Sequence, residues 1–514
     1  MADPASVTGA PPIPATSRWL AAALFLVIVA LFAVRNLPWH LDNYDQAKQA
    51  FTSYEMIQEG HWWFQHTPTG KVATKPPLAG WISAGLYVAM GRNWWDVAWR
   101  LPSFASALII LALLWRSGNA LFGPWQAGGL LAVGAWGLNV FTPRLATLVR
   151  TDMLLTLAIF LAGWLVLRKV QRAEAWTTAE RWGLCLVVLA SMLIKGPIAY
   201  AFLLPGLVAY AVCARRLRLP NHSWAGVWPW FVPLLAFGAW VGIGIWSGGG
   251  LTGDFYQQVV QKEFLGRFTV GEKAVHNNQP IYFYLAHILA KFAPWSLLLI
   301  AFAVVKPARA ALRTDPALLW LVCWALGGLV LMSLVPSKRF DRILPVIPPL
   351  CLLLPAFARY APVVVRSRWV SVGAPVLALV IAASYALSET AKGHALNQRM
   401  LVEFGRDVQQ IRAGRPFEVV IAEDEAMVIY TSQTRYLRMK EALKKWRNGE
   451  VEALVLPRSD LEKHAELLAP YECKRETRKG SAKYDSYAFI ERPPSWGKRF
   501  ALPPSADRAQ PPPP

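Results

Sequence analysis

The run DMLLTLAIFLAGWLVL, residues 152–167, decides the class of fold to which this chain belongs. Its only charge is the first residue, Asp152, and the basic pair Arg168 and Lys169 follows directly after it. A surface helix of a soluble protein would carry polar residues along one face. An apolar stretch approaching about 20 residues is instead what a membrane span requires.

The same pattern recurs along the chain, which has 514 residues, 55% of them hydrophobic and 17% charged. Soluble domains carry about 25% charged residues, and a single soluble core stops growing near roughly 250–300 residues. We therefore predict an α-helical polytopic membrane protein. The eleven predicted spans lie near residues 19–36, 99–115, 124–142, 153–167, 182–194, 197–213, 225–246, 281–305, 316–335, 343–358 and 369–387.

The charge balance predicts the orientation in the membrane. Lys and Arg number 53 against 32 Asp and Glu, a net charge of +21, which in a soluble protein would suggest a nucleic-acid partner. In a membrane protein, cytoplasmic loops collect Lys and Arg. With the N-terminus in the cytoplasm, the inner loops hold fifteen basic residues against four acidic ones. We predict a multi-pass protein of the cytoplasmic (inner) membrane that binds no nucleic acid.

This orientation divides the chain into four parts: a cytoplasmic tail (1–18), a transmembrane domain (19–387) with a large outer loop at 37–98, a small soluble domain (388–500) outside the membrane, and a disordered Pro-rich tail (501–514). The soluble part alternates strand and helix patterns, which predicts a small α/β domain. The predicted strands are 417–421, 453–456 and 487–490, and the predicted helices are 440–447 and 459–468.

Several polar motifs fall on the predicted outer side. Asp42 follows the first span. Its carboxylate is suited to act as a base or to bind a cation, and the alternative is that it caps the N-terminus of the next helix. Lys75 precedes two prolines that restrict the backbone, so it suits an anionic ligand or lipid headgroups. Asp152 opens one span and Lys195 ends another. Charges at such depths are by default candidates for function.

Two further outer loops carry charge. The first contains Glu263 and Arg267, followed by His276, which we interpret as an ordinary loop histidine. The second contains Lys338, Arg339 and Arg342, which depart from the expected placement of positive charge on the inside. Phosphate is the simplest ligand for such a cationic cluster.

Taken in order, these motifs resemble those of the C-type (GT-C) membrane glycosyltransferases, in the branch of the lipid A aminoarabinose transferases and the protein O-mannosyltransferases that use dolichyl-phosphate-mannose. The series is an Asp after the first span, Lys-Pro-Pro, a second Asp, Lys-Gly, Glu-x-x-x-Arg-Phe and then Ser-Lys before an Ile-Leu-Pro span. It covers roughly residues 20–360. This chain has Asn43 where many relatives have Glu, and Phe264 where the aminoarabinose transferases have His.

The resemblance implies an inverting transfer of a sugar from a polyprenyl-phosphate donor to a lipid, glycan or protein acceptor on the outer face of the membrane. It implies catalytic roles for Asp42 and Asp152. The residues it implies for the lipid phosphate and sugar are Lys75, Lys195, Glu263, Arg267, Lys338, Arg339 and Arg342. A divalent metal is left open, with Asp42, Glu263 and His276 as weak candidates for its ligands.

The chemistry agrees with this reading, since fixed cations stabilise the charge that grows on a phosphate as its bond to the sugar breaks. A lipid-linked donor also needs no nucleotide-binding domain.

The alternative is a transporter or flippase for a lipid-linked sugar, which would distribute polar residues along the spans. A basic scaffold is the third reading, but residues 388–514 carry 22 basic and 18 acidic residues, too balanced for an electrostatic platform.

Overall fold

The structure, a computed structural model, describes residues 16–41, 44–91, 95–122, 127–267, 279–365, 369–397, 400–420, 425–478 and 485–493. The chain separates into two compact units. The first comprises Met1–Trp39, Thr52–Thr67 and Lys71–His394, and the second comprises His40–Phe51, Pro68–Gly70 and Ala395–Pro514.

Helices account for nearly all regular structure before residue 398. They are α1 (Thr16–Val34), α2 (Tyr44–Glu59), α3 (Leu78–Ala89), α4 (Trp95–Ala98), α5 (Leu101–Phe122), α6 (Ala127–Gly137), α7 (Phe141–Ala146), α8 (Asp152–Arg172), α9 (Thr178–Lys195), α10 (Ile198–Leu217), α11 (Trp228–Ser247), α12 (Phe283–Lys291), α13 (Trp295–Ala303), α14 (Lys306–Ala311), α15 (Pro316–Leu334), α16 (Ile347–Ala358), α17 (Pro362–Val365) and α18 (Ala374–Asn397). Tyr256–Phe264 and Trp369–Gly373 are π-helical, and short 3₁₀ turns cover Gly250–Thr252, Leu265–Arg267 and Phe340–Val346.

Among the described residues, seven helices are long and apolar enough to cross a membrane. The pair α12 and α13, bent by 104°, makes an eighth if it counts as one span. A helix lies in each of the eleven predicted stretches, but those near 19–36 and 124–142 hold only shorter apolar helices, and α9 does not pass the same test. The chain is therefore a multi-span membrane protein, and the number eleven stays a prediction.

Small residues let α10 and α15 approach closely. A Cβ atom on Gly206 of α10 would lie 2.7 Å from the Cα of Trp324 on α15, and one on Gly327 would lie 2.5 Å from the backbone N of Gly206. Such contact between backbones is typical of helix packing in membranes, where close van der Waals contact replaces the hydrophobic drive. These glycines lie where α10 packs against α15 in the first unit.

Buried tryptophans fill the space between the helices. The indole N–H groups of Trp136, Trp295 and Trp320 donate to backbone carbonyls at 3.1, 2.7 and 3.1 Å, respectively. A buried indole requires such a partner. Other large apolar side chains are exposed, for example Trp246 (85%) on α11 and Leu387 (65%) on α18. An exposed apolar surface of this kind is what lipid contact requires.

The second unit contains a four-stranded sheet in the order β1-β2-β4-β3. The strands are β1 (Glu418–Val419), β2 (Ala453–Pro457), β3 (Glu472–Glu476) and β4 (Tyr487–Glu491), and its helices are α19 (Leu401–Arg412), α20 (Glu425–Tyr430), α21 (Met439–Arg447), α22 (Arg458–Lys463) and α23 (Ala465–Leu468). β1 runs parallel to β2, and β4 is antiparallel to both β2 and β3. Strands form at all three predicted places, and α21 to α23 match the two predicted helices.

The sequence analysis missed β3, which reads ECKRE and lies at the edge of the sheet. Edge strands commonly carry charged side chains because charge discourages pairing with other chains, and this hides the apolar alternation. The last apolar helix, α18, continues to Asn397, ten residues beyond the predicted end at 387.

Candidate active site

The hairpin of α8 and α9 brings the first pair of predicted site residues together. Asp152 begins α8 and Lys195 ends α9, and because the two helices pack against each other, these positions lie at the same end. The Nζ of Lys195 donates to Oδ1 of Asp152 at 2.5 Å, and each side chain is only 9% exposed. Lys195 is therefore held by a carboxylate in this structure.

A second buried carboxylate, Asp341, lies among cations. Its side chain is 3% exposed, and it accepts hydrogen bonds from Arg150 at 2.7 Å and Arg144 at 3.2 Å. The guanidinium of Arg339 lies 3.8 Å away. Arg150 and Arg339 also lie close enough to Asp152 to attract its carboxylate. The two acidic residues thus share their cations, and we call Arg144, Arg150, Asp152, Lys195, Arg339 and Asp341 the charge cluster.

An aromatic ring extends the charge cluster. The Nζ of Lys291 lies 3.5 Å from the ring centroid of Phe340, and the guanidinium carbon of Arg144 lies 4.4 Å from the same centroid. Such cation–π contacts stabilise positive charge where water is scarce. The ring of Phe340 thus contacts Arg144 of the charge cluster and one further cation, Lys291.

The loop that precedes α16 carries the three predicted outer cations, which behave differently. Lys338 is 6% exposed and donates to the carbonyl of Gln279 at 2.9 Å, and burial lowers its pKa. Arg342 is 8% exposed and donates to the carbonyl of Ser337 at 2.8 Å. Arg339, by contrast, is 38% exposed. Two of the three cations therefore hold the loop, while Arg339 reaches the surface.

The second pair of predicted site residues comprises Lys75 and Glu263. The Nζ of Lys75 donates to Oε1 of Glu263, although 188 residues separate them in the chain. Lys75 lies between a short hairpin and α3, and Glu263 lies on the π-helical segment. Both side chains are partly exposed, at 28% and 17%. Both remain accessible to a ligand.

Three predicted residues cannot be placed in this geometry. Asp42 and His276 lie outside the described residues, and for Arg267 the description covers the backbone of its 3₁₀ turn but not the side chain. Of the three weak metal candidates, only Glu263 is described, and it pairs with Lys75.

The sequence analysis gave no role to Asp341, Arg144, Arg150 or Lys291. Asp341 is the only acidic residue in the stretch Ser337–Arg342, and this was a signal that it neutralises its neighbours. Nothing in the pattern of α12 marks Lys291 as different from a terminal lysine. Chemically, the charge cluster and its neighbours carry more positive than negative charge, and such a set suits a phosphate group.

The sequence profile of one family matches part of the chain. This family is described as dolichyl-phosphate-mannose-protein mannosyltransferase, and the match covers residues 74–246. The matched segment includes Lys75, Asp152 and Lys195.

Curated relatives extend the match. The undecaprenyl phosphate-alpha-4-amino-4-deoxy-L-arabinose arabinosyl transferase of Pectobacterium carotovorum is 26% identical over 374 residues, which are 70% of this chain and 64% of that protein. The transferase of the same name from Pectobacterium atrosepticum is 25% identical over 353 residues, or 66% and 60% of the two chains. The chain thus spans a little under two thirds of the length of these relatives.

The fold is similar to that of a solved structure, ArnT from Cupriavidus metallidurans bound to undecaprenyl phosphate. The TM-score is 0.68 at 18% sequence identity, and the alignment covers 93% of this chain and 98% of the other. The resemblance predicted from the ordered motifs is thus confirmed, and the chain has the fold of a C-type membrane glycosyltransferase of the aminoarabinose transferase type.

Proposed function

We propose that this protein is an inverting glycosyltransferase that moves a sugar from a polyprenyl-phosphate donor to a lipid, glycan or protein acceptor on the outer face of the membrane. The observation that carries the proposal is the arrangement of Arg144, Arg150 and Arg339 around the buried Asp341. The carboxylate holds these guanidinium groups in place before a ligand arrives, so little reorganisation is needed when charge develops.

The chemistry assigns separate tasks to the cations and the carboxylates. As the bond between sugar and phosphate breaks, negative charge grows on the lipid phosphate, and fixed cations in a water-poor site stabilise it. The hydroxyl of the acceptor must lose a proton, for which a carboxylate is suited. We assign this role to Asp42, with Asp152 as the second acidic residue. The names of the relatives point to undecaprenyl phosphate as the lipid carrier.

The geometry refines the roles of the cations. Arg339, at 38%, is the most exposed member of the charge cluster, so we assign it the first contact with the donor phosphate. Lys195 is bound to Asp152, and we assign it to holding that carboxylate charged and in place. Lys75 and Glu263 separate when the donor phosphate enters and replaces the carboxylate on Lys75. Arg267, Lys338 and Arg342 complete the phosphate and sugar contacts as the family resemblance implies.

The proposal includes a topology. Eleven spans across a bacterial inner membrane, with the N-terminus in the cytoplasm, place the small C-terminal domain, residues 388–500, in the periplasm. The basic loops near Arg168 and Arg215 then face the cytoplasm, as the positive-inside rule requires.

The test is turnover by the purified full-length protein in detergent. The substrates are a panel of radiolabelled undecaprenyl-phosphate sugars, including 4-amino-4-deoxy-L-arabinose, with lipid A and envelope glycans as acceptors. We expect label to move to an acceptor and free undecaprenyl phosphate to appear. Arg339→Gln should lower turnover roughly 100-fold, as loss of one transition-state donor does, while the exposed Arg309→Gln serves as the matched control.

Two results would contradict the proposal. The first is full turnover by both Asp42→Asn and Arg339→Gln. The second is movement of the labelled lipid across a vesicle membrane with the bond between sugar and phosphate intact, which would favour the transporter.

A further inference from the structure

Three potential metal ligands meet at the end of α2, and none of them is among the residues that the proposed function uses. They are Glu55, His61 and His66, and one ligand atom from each lies within 4.8 Å of the others. Glu55 is in the last turns of α2, His61 follows the helix, and His66 is on a short hairpin. The sequence alone did not suggest this group, because its members lie on three different local structures.

The contacts among the three side chains centre on one carboxylate. Nδ1 of His61 lies 2.5 Å from Oε1 of Glu55, and Nδ1 of His66 lies 3.4 Å from the same oxygen. The two imidazole rings are 4.5 Å apart. Within the described part of the chain, the buried Nδ1 of His66 makes no hydrogen bond of acceptable geometry. A buried ring nitrogen aimed at a carboxylate without a satisfactory bond is a suitable metal ligand.

We propose that Glu55, His61 and His66 bind a divalent transition-metal cation, with Zn²⁺ as the best fit. Two imidazoles and one carboxylate form a ligand set that suits zinc and leaves a fourth position for water. Magnesium and calcium prefer sites made of oxygen atoms.

The spacing is compatible with tetrahedral coordination. With metal–ligand bonds of about 2.0–2.1 Å, two ligand atoms of one zinc ion lie about 3.3 Å apart. His66 and Glu55 already have this separation. His61 must move outward by about 1 Å relative to the carboxylate. Its side chain is 40% exposed and has the space to do so.

The surroundings of Glu55 favour a cation. The side chain is fully buried, and its second oxygen accepts the backbone N–H of His66 at 3.2 Å. The carboxyl end of α2 adds the negative end of the helix dipole. Outer contacts of this kind orient metal ligands.

The metal would connect α2 to the loop that carries Lys75. His66 pairs with Val72 across the hairpin, and the N–H of Ala73 donates to Gln65 at 2.7 Å. Lys75 follows two residues later. A metal bound to His66 therefore fixes the base of the hairpin and limits where Lys75 can lie.

The test measures metal content and is independent of enzymatic activity. The full-length protein carries a tag without histidine, is stripped with EDTA, is dialysed against Zn²⁺ and is analysed by mass spectrometry of its metals. We expect about one zinc ion per chain for a three-ligand site and a tetrahedral Co²⁺ absorption spectrum when cobalt replaces zinc. His61→Ala, His66→Ala and Glu55→Gln should each weaken zinc binding at least tenfold.

The matched control is His394→Ala, which removes an exposed histidine from α18 and should keep full zinc content. Hydrogen exchange of residues 65–75 should slow when zinc binds to the wild-type protein. The proposal is overturned if folded, stripped wild-type protein takes up no zinc. It is also overturned if His61→Ala and Glu55→Gln, both folded, bind zinc as the wild type does, since the metal then lies elsewhere.

Discussion

The buried ion pair between Asp152 and Lys195 allows a test of the charge cluster that does not depend on knowing the substrate. The perturbations are two neutral substitutions, Asp152→Asn and Lys195→Met, and the double variant that carries both. Each side chain is 9% exposed, and the charged atoms lie 2.5 Å apart. Both substitutions keep approximately the original volume, so the change in stability reports the charges and not a cavity.

The magnitude follows from distance and burial. At 2.5 Å the Coulomb attraction is about 6–7 kcal/mol for an effective dielectric constant of about 20, and the desolvation of both groups offsets much of it. Removing one partner of a buried pair costs about 3–5 kcal/mol, because the remaining charge stays buried. After Lys195→Met, Asp152 is still attracted by Arg150 and Arg339. After Asp152→Asn, Lys195 is buried near these same cations.

The two single variants should therefore differ. We expect Lys195→Met near the lower end of that range and Asp152→Asn near the upper end. The double variant removes both charges and should lose less stability than the sum of the two single losses.

The assay is thermal unfolding in detergent, followed by a dye that reacts with thiols. Cys185, Cys323 and Cys351 are buried and become reactive only when the first unit opens. Lys392→Met, at an exposed lysine paired with Glu389, is the matched control and should leave the Tm unchanged. The reasoning is refuted if Asp152→Asn melts at or above the temperature of Lys195→Met, or if the single losses add in the double variant.

Two further predictions concern the helices that support the site. Gly327→Ala should lower the Tm, because its new methyl group meets the backbone of Gly206 and overpacking of this kind costs about 1–3 kcal/mol. The control is Gly85→Ala, whose new methyl group has no other atom within 4 Å. Equal melting temperatures of the two variants would contradict the close contact. Burial opposes ionisation of Glu180, but the hydrogen bond from Lys169 outweighs it and, with those in the Thr177 turn, lowers the pKa of Glu180 from 4.5 to about 2. Its stabilising contribution is therefore present above pH 4.5 and is lost as the pH falls toward 2. The difference in Tm between wild type and Glu180→Gln should shrink over that range, and a constant difference would exclude the ion pair as its cause.

Much of the fold follows from local pattern. The apolar runs locate the helices because a span must satisfy its own backbone hydrogen bonds inside lipid. Local pattern also locates β2 and β4, because their runs of buried, mostly apolar residues are typical of central strands. Where the pattern is weak, the prediction fails, as for the charged edge strand β3. The pattern also does not determine the number of spans, since α6 and α9 are helical without being both long and apolar enough to count as spans.

The candidate site was predicted in its parts but not in its connections. The ordered motifs selected Lys75, Glu263, Asp152 and Lys195 as candidates, and the structure joins them into two ion pairs. Which cation meets which carboxylate depends on how the helices pack. Residues as far apart in the chain as Lys75 and Glu263 have no local signal that predicts their contact.

The sequence by itself determined that this protein spans a membrane, where its helices lie, and that its loops hold cations suited to phosphate. These properties depend on composition and on the order of residues within single segments. Only the tertiary structure decided that Asp341 forms ion pairs with Arg144 and Arg150, and that the carboxylate of Glu55 lies close to His61 and His66. The physical reason is that a charge–charge or metal–ligand contact acts over a few ångströms in space, and chain folding, not sequence distance, sets that separation.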